Sequence, residues 1–188
     1  LYIDGDLKAT SAQINGSIHE NGFALRFGST IGASWNTYFD GLIDEVSIMT
    51  AALSADQIQA NMNVPLTGEE SGLVGHWNFN ESEGNILIDL SGNGNDGTIY
   101  GATRSEDSAP VTQQPSPNHS LSFDGQDDWV DLNTMDDIVL SNMTYSFWIN
   151  TDGSNNDNQC VINTRNGQIW IPINDVSIIH GADMINNN

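Results

Sequence analysis

Short alternations of apolar and polar residues, separated by turn residues, run along nearly the whole chain. "LYIDG" reads as a strand ending in the Asp4-Gly5 turn, with "DLKAT" as the return strand of a hairpin. "FALRFGS" puts Phe23, Leu25 and Phe27 on one face and Ala24 and Arg26 on the other. "YFDGLIDEVSIM" continues the period of two, with Leu42, Asp44, Val46 and Ile48 on one side and Ile43 and Glu45 on the other. A carboxylate beside Val46 needs a partner or a cation. "GLVGHWNF", "GTIYGA", "SLSFDG", "DWVDL", "MTYSFWINT", "QCVINTR" and "QIWIPI" each read as a further strand.

One helix interrupts this pattern. In "LSADQIQANM" Ser54 is the expected N-cap and Gln57 completes a capping box. Asp56 suits the positive end of the helix, and Leu53 and Ile58 are spaced as a hydrophobic staple. A single short helix, near 54–62, among many strands predicts an all-β fold: a two-sheet sandwich. "NVPLTGEESG", 63–72, has the composition of a linker, and the Pro-rich stretch between Gly101 and Asn118 that of a long surface loop.

Charge changes the picture more than length does. The 188 residues carry 25 acidic and four basic side chains (Lys8, Arg26, Arg104, Arg165), a net charge of -21. Such a surface repels phosphate backbones, which excludes nucleic acid as a partner. It also repels itself unless cations or salt screen it, which points to saline surroundings or bound calcium. Spaced aromatic and aliphatic residues and a mean hydropathy of -0.32 mark folded rather than disordered material. No run of eighteen apolar residues exists, so membrane insertion is not expected. The chain begins at Leu1 without an apolar signal stretch, which reads as a piece of a larger multidomain chain. The lone Cys160 allows neither an intrachain disulfide nor a cysteine-based zinc site, and reads as a small buried residue.

Together these segments resemble the laminin-G-like, concanavalin A-like lectin/glucanase superfamily of jelly rolls. "LYIDG…LRFGS…FDGLIDEVSIMTAALSADQIQ", within residues 1–62, resembles the C-terminal half of such a module. "GLVGHWNFNESEGNILIDLSGNGNDGTIYGA…SLSFDGQDDWVDL…MTYSFWINT", 72–152, resembles the N-terminal half. The expected organisation is therefore the end of one module (1–62), a linker (63–72) and the start of a tandem neighbour (73–188). The alternative is that the two halves close as one permuted sandwich. The resemblance implies an extracellular or cell-surface recognition or adhesion module.

Chemistry concentrates in "DLSGNGNDG", residues 89–97. Asp89, Ser91 and Asn93 alternate and are followed by Gly94, echoing the spacing of calcium loops, with Asn95 and Asp96 as additional donors. Position 12 of such a loop is Tyr100 rather than glutamate, so this is no EF-hand. Oxygen donors without His or Cys favour calcium; the alternative is a turn in which Asp caps neighbouring N–H groups. The resemblance brings first and last strands together and makes Asp44, or its counterpart in an adjacent module, the completing ligand. A second acidic cluster, "FDGQDDWVD", holds Asp124, Asp127, Asp128, Trp129 and Asp131. It reads as solvated turn residues or as a second calcium or ligand loop, with Asp127, Asp128 and Trp129 as candidate ligand-binding residues.

Alternation sets Trp148 opposite Tyr145, Phe147 and Ile149, and Trp170 opposite Ile169 and Ile171. An aromatic on the polar side of a strand can stack on a sugar ring, so Trp148 and Trp170 are candidate glycan contacts; packing between sheets or modules is the alternative. Trp77 and Phe79 are expected in the core. Glucanases of the resembling superfamily use paired carboxylates, and here only Asp44 and Glu45 are adjacent. Neighbours on a regular strand point to opposite faces, so no enzyme is expected. The histidines show no metal spacing. The N-x-[ST] triplets at Asn15, Asn80, Asn118 and Asn142 are expected by chance in so Asn-rich a chain. Two readings follow: a calcium-stabilised carbohydrate-binding module, or a structural spacer making protein–protein contacts with neighbouring modules.

Overall fold

The computed structural model describes residues 1–10, 24–30, 37–111, 117–132, 142–151, 159–164, 167–171 and 179–186; for 142, 164, 167–171 and 179–186 the backbone alone is described. Phe23, at the start of the third predicted strand, lies outside them.

The hairpin forms as read. β1 (Tyr2–Ile3) pairs antiparallel with β2 (Asp6–Leu7). The turn has Asp4 at φ 51° and Gly5 at φ 76°, the left-handed pair that joins tightly twisted strands. β3 (Arg26–Phe27) buries Leu25 and Phe27 and leaves Arg26 half-buried on the other face.

β4 (Asp40–Met49) organises the molecule. One side pairs with β11 (Asn142–Asn150). Its other side pairs first with β9 (Ser120–Asp124), through Asp40 to Ile43, and then with β5 (Leu73–Trp77), through Val46 to Met49. β11 continues through β14 (Ile179–Asn186) to the β1–β2 hairpin, and β9 continues to β8 (Thr103–Ser105). The second sheet runs β13 (Gly167–Ile171), β12 (Gln159–Thr164), β3, β10 (Trp129–Asp131), β7 (Gly97–Tyr100) and β6 (Ile86–Leu87). Strands from before and after 63–72 therefore share both sheets.

Between the sheets lies an apolar core that includes Phe27, Phe39, Ile43, Val46, Ile48, Trp77, Phe123 and Phe147. Phe27 meets Trp77 edge-on at 5.3 Å, and Phe39 meets Phe123 likewise at 6.0 Å. Each such buried side chain contributes roughly 1.5–3 kcal/mol. Trp77 and Phe79 are core residues, as expected. The architecture is the predicted two-sheet, jelly-roll-type sandwich, with one short helix among the described residues.

α1 (Ala55–Asn61) starts with the predicted capping box. Gln57 N donates to Ser54 Oγ at 3.3 Å and Ser54 N donates to Gln57 Oε1 at 2.9 Å. Leu53 and Ile58 pack together with Tyr2, which completes the staple. The stretch after α1 is tied down rather than slack. The Glu70 carboxylate accepts from Thr67 N, Thr67 Oγ and Gly68 N, and Thr50 N donates to Gly72 O. Burial alone would raise the Glu70 pKa; these hydrogen bonds outweigh it and bring it below the ordinary value.

β4 corrects the predicted alternation. Ser47 faces Ser146 and Asp44 faces Trp148, so Glu45 and Val46 together oppose Phe147: a one-residue bulge. Glu45 sits in left-handed backbone at φ 49°. The bulge resets the period, so Ile43, Val46 and Ile48 all enter the core, and Asp44 does not share a side with Val46.

Candidate ligand-binding and cation sites

The opening loop is a hydrogen-bonded knot. Asp89 is 7 % exposed. Its Oδ1 accepts from His76 N at 3.0 Å and Ser91 N at 2.9 Å; its Oδ2 accepts from Ser91 Oγ at 2.8 Å and Asn95 N at 3.0 Å. An ionised carboxylate offers about four lone-pair sites, and all four are taken here by donors. Asn93 Nδ2 and Asn95 Nδ2 donate to Val74 O, at 3.1 and 2.8 Å. Asp96 Oδ1 accepts from Asp89 N. In this arrangement Asp89, Ser91, Asn93 and Asn95 form a network that fastens the loop to β5. Asp44 does not join them, because its carboxylate accepts from Ala109 N and Glu45 N, both at 2.8 Å.

Three carboxylates do come together in the second acidic cluster. Asp124, Asp127 and Asp128 offer oxygens within 4.8 Å of one another, at the turn between β9 and β10. Asp128 is 6 % exposed, and its Oδ2 accepts from Asp124 N at 2.9 Å. Burial raises its pKa, the bond from Asp124 N lowers it, and the charges of Asp124 and Asp127 add to the rise. A hard cation would relieve that repulsion, and the all-oxygen donor set suits calcium.

The same turn leads into an aromatic stack on the outer face of the second sheet. Trp129 pairs across the sheet with Tyr100, and the rings lie 4.9 Å apart at 20°. From the opposite side, Arg26 on β3 sets its guanidinium 5.2 Å from the Trp129 ring centre. Arg26 also donates from Nε and Nη2 to Asp131 Oδ2, at 3.2 and 3.1 Å. Because β3 and β7 flank β10, Trp129 is sandwiched and the open aromatic face is that of Tyr100, which is 45 % exposed. Tyr100 was legible in "GTIY", where inward Ile99 turns its neighbour outward.

Trp148 faces away from the core, as expected, yet it is only 7 % exposed. α1, Val64, Leu66 and Val111 roof this side of the first sheet, so Trp148 offers no open sugar platform. Trp170 falls in β13, paired with Cys160, and its side chain lies outside the described residues. Cys160 is buried, and burial pushes its thiol up to about 12, which leaves it no thiolate for chemistry.

Beneath the roof the bulge brings Asp44 and Glu45 to the same face, where a regular strand would have opposed them. Small clefts flank Trp148: one of about 30 Å³ beside Glu45 and Ser47, another of about 40 Å³ beside Asp44 and Ser120. Glu45 Oε2 lies 3.1 Å from His76 Nε2, with both side chains buried. Asp44 is pushed up to about 8, by burial first and then by the Glu45 charge, against the bonds from Ala109 and Glu45 N–H. A protonated acid beside a paired carboxylate has the composition of an acid–base couple, but these clefts have room for water rather than a sugar ring.

The hairpin, the bulged strand and the start of the capped helix lie within the stretch that matches a family model. Residues 1–59 match the laminin-G model of the concanavalin A-like lectin/glucanases superfamily. Comparisons with curated proteins and with solved structures give no match. Laminin-G-like domains are generally non-enzymatic, lectin-type folds that bind glycans or proteins. Among the described residues no helix is long and apolar enough to cross a membrane.

Proposed function

We propose that this chain is a non-catalytic recognition module of an extracellular or cell-surface protein, binding carbohydrate on the outer face of its second sheet. The observation that carries the reading is the outward Tyr100–Trp129 stack, held by Arg26 beside the acidic turn. A pyranose presents a face of axial C–H groups, and an aromatic ring braced from behind receives it with little loss of side-chain freedom. Asp127 and Asp128 stand at the end of β10 with oxygens for sugar hydroxyls. In this reading calcium occupies Asp124, Asp127 and Asp128 and stiffens the turn that carries Trp129. The stretches 1–62 and 73–188 close as one permuted sandwich within a longer parent.

A glycan panel tests this directly. Tyr100→Ala should abolish binding while leaving the melting midpoint within a few degrees. Failure of the wild-type chain to bind any glycan, with calcium or with EDTA, would remove the reading.

One observation favours protein contacts as a second reading. Ile86, Ile88 and Leu90 alternate outward and are 47, 47 and 42 % exposed, an apolar row at the sheet edge. If adjoining modules cover it, an Ile86→Ser/Ile88→Ser variant will loosen the tandem array while sparing glycan binding.

A further inference from the structure

Resting on the reading of the Tyr100–Trp129 face as a sugar platform, we infer that its ligand is an uncharged pyranoside and that the face rejects uronic and sulfated sugars. The decisive feature is the state of the cations. Arg26 is the cation on this face among the described residues, and its Nε and one terminal nitrogen both donate to Asp131 Oδ2. Its guanidinium also lies against Trp129. Lys8 is paired with Asp6 and Arg104 with Glu81, so neither brings spare charge.

Carboxylates bracket the open ring. Asp131 stands with Arg26 at one end of β10. At the other, Asp128 packs against the residue after Tyr100: a Cβ added to Gly101 would collide with Asp128 Oδ1. Asp124 and Asp127 share that turn. With the turn free of calcium, an anionic group placed on Tyr100 meets several carboxylates within about a Debye length and, among the described residues, no uncommitted cation. A neutral hexose meets acceptors for its hydroxyls and an aromatic ring for its C–H face.

The test pairs sugars of one backbone and different charge. Methyl-esterified oligogalacturonide is titrated against its de-esterified form, and desulfated carrageenan oligosaccharide against its sulfated parent, in EDTA at low and at 0.5 M salt. The neutral member of at least one pair is expected to bind at least tenfold more tightly than its anionic partner, with the gap narrowing in salt. Asp131→Asn, which releases Arg26, should raise the affinity of the anionic partner selectively. Equal or tighter binding of the anionic sugars, still lost in Tyr100→Ala, overturns the selectivity and leaves the platform standing. No binding of any sugar, in calcium as in EDTA, overturns the platform, and the selectivity with it.

Discussion

The Asp89 carboxylate accepts the backbone N–H of His76 at 3.0 Å, and this bond stitches the glycine-rich loop onto β5, the strand that pairs with β4. Three further donors meet the same carboxylate, so removing it strands several half-buried N–H groups at once. A hydrogen bond to a charged group contributes about 1.5–3 kcal/mol. Asp89→Ala should therefore destabilise by about 3–5 kcal/mol, lowering the melting midpoint by roughly 10 °C or more. Asp89→Asn, which keeps one acceptor, should cost less. The same losses should appear in EDTA and in calcium; a midpoint that does not move in Asp89→Ala would refute the knot.

Calcium should act at the other loop. A ligand that binds only the folded state stabilises it by mass action, about 2.7 kcal/mol at a hundredfold excess over its dissociation constant. Calcium should raise the wild-type midpoint, and the double variant Asp124→Asn/Asp127→Asn should lose that rise. Asp89→Asn should keep it. A rise surviving in the double variant would place the ion elsewhere.

The buried acid on β4 gives stability a definite pH dependence. Asp44 titrates near 8 in the folded chain against 3.8 as its ordinary value, so the folded state holds its proton throughout that interval. Where the folded state binds more protons, stability falls as pH rises. The Asp44 contribution is complete below about pH 4, declines by about 1.4 kcal/mol per unit, and is gone above about pH 8. Glu70 works in the opposite sense at the acid end, since its lowered pKa gives stability that is lost as pH falls. Denaturant melts of wild type and Asp44→Asn across pH 5 to 9 separate the two: the difference should shrink steadily with pH, and a constant difference would contradict the assignment.

Local chemistry was the legible part of the sequence. The Asp4-Gly5 turn, the Ser54/Gln57 box and the inward aromatics Trp77, Phe79 and Phe147 follow from rules spanning a few residues, and each is seen. The bulge at Glu45 was not legible, because nothing in "LIDEV" announces that two residues will face one across the sheet. That single slip reversed the reading of Asp44 and of the carboxylate pair. Trp148 was assigned to the outer face correctly, but what roofs that face is α1 and the chain after it, a long-range relation that strand periodicity does not carry. Similarly, oxygen-rich spacing at Asp89 suits an ion and a hydrogen-bonded knot equally. Only the placement of Val74 O and the His76 N–H distinguishes them.

Closure into one permuted sandwich makes the last prediction. Every neighbour of β4 in its sheet comes from residues after 72: β11 on one side, β9 and β5 on the other. Alone, 1–62 would leave Ile43, Val46 and Ile48 without a facing layer and β4 with two open edges, a state that favours aggregation. Alone, 73–188 would lack the strand between β11 and β9. The 1–188 chain should therefore unfold in one cooperative transition, by both tryptophan fluorescence and circular dichroism. Separately expressed 1–62 and 73–188 should each lack a transition, and mixing them should restore one. Should either piece melt cooperatively by itself, the two stretches are parts of different modules and the shared sheets are not the working assembly.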